Sequence, residues 1–319
     1  MRNRRPHALV LYSIIVLFIL VGCGTVLPDG CPSDCFGARL TNVDLSDENF
    51  LGANFGSADF RGANMESINL ESAILTGADL TGANLSNANL SNADLTGAVL
   101  VGANMGNADF TNATFTATNM QNTRLVGVIL LGNALTGINM SGSDLSGADL
   151  AEVDLRGANL SQAQLNGTRM TFANLSGAQL DRAILNGTNL SSANLAGAEL
   201  TNAVVTGAIL RQANLNGARL NGADLSGADL YGARLEGTDL RGTTMRGADL
   251  CGADLTDAIL VRGEFEEDET IYADLTDAQR NALLAGANLS GVRYNDNTIW
   301  PQGFEVPQIA DRVDFCPRE

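Results

Sequence analysis

Five cysteines and a single histidine are the side chains best suited to chemistry in this 319-residue sequence, and their positions narrow what that chemistry can be. His7 sits beside Arg2, Arg4 and Arg5, just ahead of an apolar run from Ala8 to Val21. That order reads as a targeting segment. Once it is removed the chain holds no histidine, and it has no lysine anywhere. Histidine triads, serine–lysine dyads, Schiff bases and histidine metal sites are then unavailable. Carboxylates are plentiful, and two of them suffice for acid–base work. Here, however, they recur at one position of a short repeat, which places them on flat outer faces rather than in a concave pocket. The Asp/Asn rows therefore read as solvated exterior. The glycines recur as corners and form no phosphate-binding loop. No catalytic, cofactor-binding or metal-binding residue is expected, and no cofactor.

The apolar run of about fourteen residues is short for a bilayer span, which needs about twenty. It ends at Leu20-Val21-Gly22-Cys23, which resembles a bacterial lipobox. The resemblance implies that 1–22 is a lipoprotein signal peptide and that Cys23 is lipidated and becomes the new N-terminus. The alternatives are an ordinary signal peptide and an uncleaved anchor with an incidental cysteine. Lipidation would tether the protein to the cell membrane or, in a cell with two membranes, to the outer one, since Gly24 rather than Asp follows. Removing Arg2, Arg4 and Arg5 takes the formal charge from −17 to about −20. Such acidity argues against direct binding to nucleic acid or anionic lipid heads.

Cys31, Cys35, Cys251 and Cys316 remain. In an oxidising compartment four cysteines allow three pairings. Cys31 and Cys35 could close a small loop just before the repeats. Cys251 follows a large residue, Leu250, and is expected to face outward; a returning tail would bring Cys316 to it. The candidate disulfides are Cys31–Cys35 and Cys251–Cys316, against four free thiols. A metal site is the rival for the first pair, but no second thiol pair or histidine is near.

The elements that carry these residues follow from the stretch ANLSNANLSNADLTGAVL. Leu85, Leu90, Leu95 and Leu100 recur every fifth residue, with Ala83, Ala88, Ala93 and Ala98 two before each. Five steps around an α-helix miss the starting face by roughly 140°. In a strand, residues five apart point to opposite sides. The chain must therefore bend once per repeat. The corner falls two residues after each large centre, where Gly and Asn dominate, as at Gly77, Gly82, Asn87 and Asn92. Exceptions include Glu152, Gln162, Phe172, Arg182 and Gln212, but no Val, Ile or Thr stands there from Leu40 to Phe265. Branched side chains fit positive φ worst, so the absence marks a type II turn. Centres keep register from Leu40 to Phe265, about 46 by (265 − 40)/5 + 1. One repeat cannot bury its inner face, whereas stacked coils can.

The units Ala78-Asp79-Leu80, Ala148-Asp149-Leu150 and Ala228-Asp229-Leu230 resemble the pentapeptide-repeat family. The resemblance implies an all-β fold, a right-handed quadrilateral parallel β-helix with twenty residues per coil. Eleven to twelve coils would make a rod roughly 55 Å long. The sequence itself agrees with twenty. Arg39, Arg124, Arg169, Arg219 and Arg234 each have an aspartate twenty residues away, at Asp59, Asp144, Asp149, Asp239 and Asp254, and Arg219 also has Glu199.

The expected organisation is the signal peptide at 1–22, a lipidated N-terminus and linker at 23–36, the β-helix at 37–265 and a C-terminal cap at 266–319. Register breaks after Phe265 into the acidic run Glu266 to Glu269. Thr276-Asp-Ala-Gln279 forms a capping-box sequence for a short helix through Leu284. The tail with Trp300 and Phe304 is expected to cover the last coil. Between Thr118 and Ser143 the small inward position degenerates to Thr118, Thr123, Val128, Asn133, Ile138 and Ser143, which should widen or bend the coils. Asn133 would then need internal hydrogen bonds.

These readings point to an exported, membrane-anchored, non-enzymatic structural or protein-interaction module. Its protein partner and oligomeric state are not legible. The family resemblance supplies the alternative: some pentapeptide-repeat proteins are acidic DNA mimics that bind DNA gyrase. The charge fits that alternative, and the export signal opposes it because gyrase is cytoplasmic. Ice or mineral binding by rows such as Thr76 and Thr81 is disfavoured, because the rows mix in Arg, Tyr and Val.

Overall fold

The computed structural model describes residues 33–130, 133–260 and 298. Its unit is a two-residue extended piece followed by a tight turn, repeated without a longer strand. Every β-bridge is parallel and joins residues twenty apart, beginning with Asp34–Asn54 and Arg39–Asp59 and ending with Asp239–Ile259. Four five-residue repeats therefore close one coil, and the chain is a right-handed quadrilateral β-helix. From 33 to 260 it makes about eleven coils, stacked about 4.8 Å apart.

Each centre donates its N–H to the coil above, as Leu40 does to the Asp59 carbonyl at 2.7 Å. The residue before the centre donates to the coil below, as Asp59 does to the Ala38 carbonyl at 2.8 Å. The centre's own carbonyl accepts from the residue three later, closing the turn, as between Leu75 and Ala78 at 3.0 Å. All 44 described positions two after a centre, Gly37 to Asp257, have φ between 55° and 69°. Glu152, Gln162, Phe172, Arg182 and Gln212 are among them, so the corner holds even where the sequence departs from Gly or Asn.

The inward side chains form one continuous column. Alanines line the narrow corners and Leu, Met and Phe fill the axis, nearly all of them buried. Phe50, Phe55 and Phe60 pack edge to face, with centroids 5.1 and 5.0 Å apart. Where the small position is a hydroxyl residue, that hydroxyl donates to the carbonyl of a centre on the coil below, except at Thr123, which bonds Met120 on its own coil. Thr168 does so to Leu145 at 2.9 Å, and Thr243 to Leu220 at 2.7 Å, each 23 residues back. Thr298 makes the same bond to Leu255 at 2.9 Å, but from 43 residues away. Unbroken register would give that bond to position 278.

The first coil starts earlier than 37. Asp34 already pairs with Asn54, and Cys35 is fully buried as a centre. Phe265, the capping-box segment Thr276 to Leu284, Trp300 and Phe304 lie outside the described residues. So does the segment from Ala8 to Val21, and among the described residues no helix is long and apolar enough to cross a membrane.

Candidate functional surfaces

Four walls are available, each with an outward row one residue before the centres. The first wall carries Asp34, Asn54 and Ile74, the second Arg39, Asp59 and Asp79, the third Asp44, Asn64 and Asn84, and the fourth Asn49, Asn69 and Asn89. These side chains are not merely solvated. Each Asp or Asn can reach round its own centre and accept the N–H two residues on, as Asp94 does from Thr96 at 2.9 Å and Asn194 from Ala196 at 3.2 Å. The outward row therefore locks the turn it precedes. A Ser or Thr at the accepting turn adds its hydroxyl to the same oxygen, as Thr81 does to Asp79 at 2.6 Å.

An arginine in that position makes a fork instead. Arg61 grips Asp59 through Nε and Nη2 at 2.8 and 2.7 Å, and Arg156 grips Asp154 through the same two nitrogens at 2.8 and 2.7 Å. Hydrogen bonding from these guanidiniums holds both carboxyls below the usual range. The Ser46 hydroxyl does the same to Asp44. Burial pushes Asp239 up, but hydrogen bonds from Arg241 and Asn221 more than offset this and leave it lowered.

The expected vertical ion pairs form only in part. All five Arg/Asp couples are bridge partners in adjacent coils, which confirms the register. Arg169 reaches Asp149 at 2.5 Å, and Arg219 chooses Glu199 at 3.0 Å. Asp59 and Asp239 are instead taken by Arg61 and Arg241, two residues away on their own coils. Arg124 reaches Asn104 at 3.2 Å. Residues either side of an inward centre both face out, so a neighbour on the same coil competes with one on the next. The vertical order that does run far is made of amides. Asn64 donates to Asp44, Asn84 to Asn64 and Asn104 to Asn84, at 2.9, 3.0 and 2.9 Å.

Two of the candidate disulfide cysteines are described. Cys35 is disulfide-bonded and fully buried. Cys251 is also disulfide-bonded, but it is buried at 2 % exposure where an outward position was expected. Its sulfur carries a second cysteine rather than facing water, which accounts for the difference. Cys35 lies on the first coil and Cys251 on a coil ten turns away, so they are not bonded to each other. Cys23, Cys31 and Cys316 lie outside the described residues, as does His7. Among the described residues no group of three or more His, Cys, Asp or Glu could hold a metal ion.

The degenerate stretch contains a buried polar seam. Thr123 and Ser143 hydroxyls meet at 2.9 Å, and both reach the Met120 carbonyl at 2.7 Å. Asn133, 5 % exposed, donates Nδ2 to the carbonyls of Phe110 and Ala113 at 3.1 and 3.3 Å. Among the described residues no bridge joins Thr114 to Ala134, although register calls for one. The ladder is interrupted at this step, beside Asn133.

The model of the pentapeptide repeats matches the chain in eight copies, spread from residue 33 to residue 267. The chain belongs to the pentapeptide-repeat family. Among solved structures, this pentapeptide-repeat chain is similar to HetL, a pentapeptide repeat protein involved in heterocyst differentiation regulation from the cyanobacterium Nostoc sp.. The two are 31% identical over 72% of this chain and 92% of HetL, with a TM-score of 0.36. It is also similar to full-length QnrB1, a plasmid-mediated fluoroquinolone resistance protein, at 18% identity over 78% of this chain and 92% of that one, with a TM-score of 0.27. A pentapeptide repeat protein of the Arabidopsis thaliana thylakoid lumen is 29% identical over 40% of this chain and 89% of its own, with a TM-score of 0.21. The comparison with curated proteins returned no match.

Proposed function

We propose that this pentapeptide-repeat protein is an exported, lipid-anchored module without enzymatic activity, which presents the flat walls of a rigid rod to a protein partner in the cell envelope. The observation that carries the reading is the disulfide state of Cys35 and Cys251, near the two ends of the rod. Disulfides persist in oxidising compartments and are rare in the cytosol. The order of charge, apolar run and small residues ending at Cys23 supports the same compartment. The walls suit binding rather than catalysis, because their Asp and Asn side chains are engaged with their own turns and stand on flat surfaces. Membrane fractionation and metabolic labelling with a lipid precursor test the anchor. Label lost in Cys23→Ser supports the reading, and an unlabelled cytosolic protein refutes it.

The second reading is an acidic DNA mimic that binds gyrase, favoured by a formal charge of −17 on a rod-shaped fold. Export opposes it. A supercoiling assay with residues 24–319 measures that capacity separately; inhibition at submicromolar concentration would support the mimic, and none is expected.

A further inference from the structure

Six large hydrophobic side chains stand exposed on the described rod. Ile129, Phe172 and Ile209 are scattered along the middle and upper coils. The other three gather at the N-terminal end. Phe36 and Leu51, 65 % and 59 % exposed, occupy the two corners of the first coil that border the first wall, and Ile74, 43 % exposed, stands in that wall's row two coils higher. Between them lie small or uncharged groups: Asn54, Gly56, Ser57 and Thr76. The Phe36 ring covers the Gly56 backbone so closely that a Cβ there would come within 2.9 Å of it. Asp34 and Glu71 are the charged residues at the margin of this patch. The neighbouring walls differ at the same height. The second carries Arg39, Asp59, Arg61 and Asp79, and the third carries Asp44, Asp47 and Glu66.

We infer that the lower first wall, through Phe36, Leu51 and Ile74, lies against the interface of a zwitterionic bilayer. This rests on the lipid-anchor reading. Thirteen residues separate Cys23 from Phe36 by 36 − 23, a span of at most about 45 Å, so a lipid on Cys23 keeps this end of the rod near the surface. Among the described residues, the exposed large apolar side chains of the first three coils stand on or at the corners of the first wall. Aromatic and aliphatic side chains settle at the boundary between headgroups and acyl chains. The acidic charge of the chain selects zwitterionic over anionic lipid. The rod would then lean on one wall rather than stand free, leaving the opposite wall and the upper coils open to a partner.

The test uses the natively purified full-length protein in phosphatidylcholine vesicles with brominated acyl chains. Phe36→Trp and Phe172→Trp are compared with the unsubstituted protein, whose one tryptophan is Trp300. Both positions are exposed to the same degree, 65 % and 66 %, so neither substitution disturbs the core. The expected result is a blue shift and bromine quenching of the added Trp signal at 36, with neither at 172. Protein that floats with the vesicles but shows no quenching at 36 overturns the docking while leaving the anchor intact. Equal quenching at both positions overturns it too, because Phe172 stands at a corner of the same wall on a higher coil and the contact would not be confined to the lower coils. Protein that carries no lipid at Cys23 and fails to float removes the anchor reading and this inference with it.

Discussion

Asn133 Nδ2 lies 3.3 Å from the carbonyl oxygen of Ala113, which in the regular ladder would be reached by the backbone N–H of Ala134. A side-chain amide thus stands in for a rung of the sheet. Its second bond, to the Phe110 carbonyl, is the one that buried threonines make elsewhere. Ala113 and Phe115, 8 % and 4 % exposed, are the parts of the core that this substitution opens slightly.

Asn133→Asp should be severe. A carboxylate would face two carbonyl oxygens with no donor, at a cost of about 3 kcal/mol or more. Asn133→Ala restores the family's usual small residue and lets the coils close, so it should be neutral or slightly stabilising. Thermal melts of the two variants check this, and a milder loss for Asp than for Ala would show that the amide contacts are not what holds the seam.

The corners make the second prediction. Gly147 has φ of +66°, and a Cβ there would meet nothing within 4 Å. Gly147→Val should therefore destabilise through backbone strain alone, by about 1–2 kcal/mol. Phe172 pays the corresponding cost at φ 59° while its ring is 66 % exposed. Phe172→Gly should stabilise by up to about 1 kcal/mol, reduced by the greater freedom of the unfolded chain. Leu150→Asp, by contrast, puts a charge into the column and should cost about 4 kcal/mol or more. Denaturant unfolding of the three variants ranks them, and a neutral Gly147→Val would remove the strain argument at that corner.

The corners were the most legible part of the sequence because φ selects residue type directly. The missing Val, Ile and Thr predicted positive φ even at Phe172 and Arg182, where no Gly or Asn helps. The outward row was read too weakly. Its Asp and Asn preference has a specific cause, acceptance of the N–H two residues on, and the Ser, Thr or Arg that follows was the available clue. The ion pairs were half legible. A spacing of twenty identifies stacked partners, but it does not tell whether Asp239 turns up to Arg219 or sideways to Arg241. For Cys251 the sequence pointed to a disulfide, which it makes, but spacing alone did not show that the bond leaves the residue covered.

The lowered carboxyls set the acid limit. Asp44, Asp59, Asp154 and Asp239 titrate lower in the fold than at the ordinary value near 3.8. Their stabilisation is fully present above the unfolded value and is lost as pH falls through the folded one. Stability should be flat from neutral pH to about 5 and decline below about 4. Asp239 and Arg241 are 16% and 23% exposed, the most sheltered ion pair among those described. Asp239→Asn should cost about 1 kcal/mol at neutral pH, and the cost should shrink as pH falls through the lowered folded-state value. Melts across pH check this, and an equal loss at both ends would assign the effect to hydrogen bonding alone.

The cysteine pairing is decided by peptide mapping of the exported, non-reduced protein. The pairs proposed are Cys31–Cys35 and Cys251–Cys316. Reducing the second should remove about 2–4 kcal/mol, because it closes a long loop. A link from Cys35 to Cys316, or free thiol at Cys251, would contradict the scheme.

The account stands most directly on the state of Cys23. Cells expressing the full chain and grown with a labelled fatty acid should yield label on this protein in the membrane fraction, and Cys23→Ser should abolish it. Wild-type protein that is unlabelled and remains in the cytosol would contradict the lipid-anchored reading and leave the acidic DNA mimic as the better account.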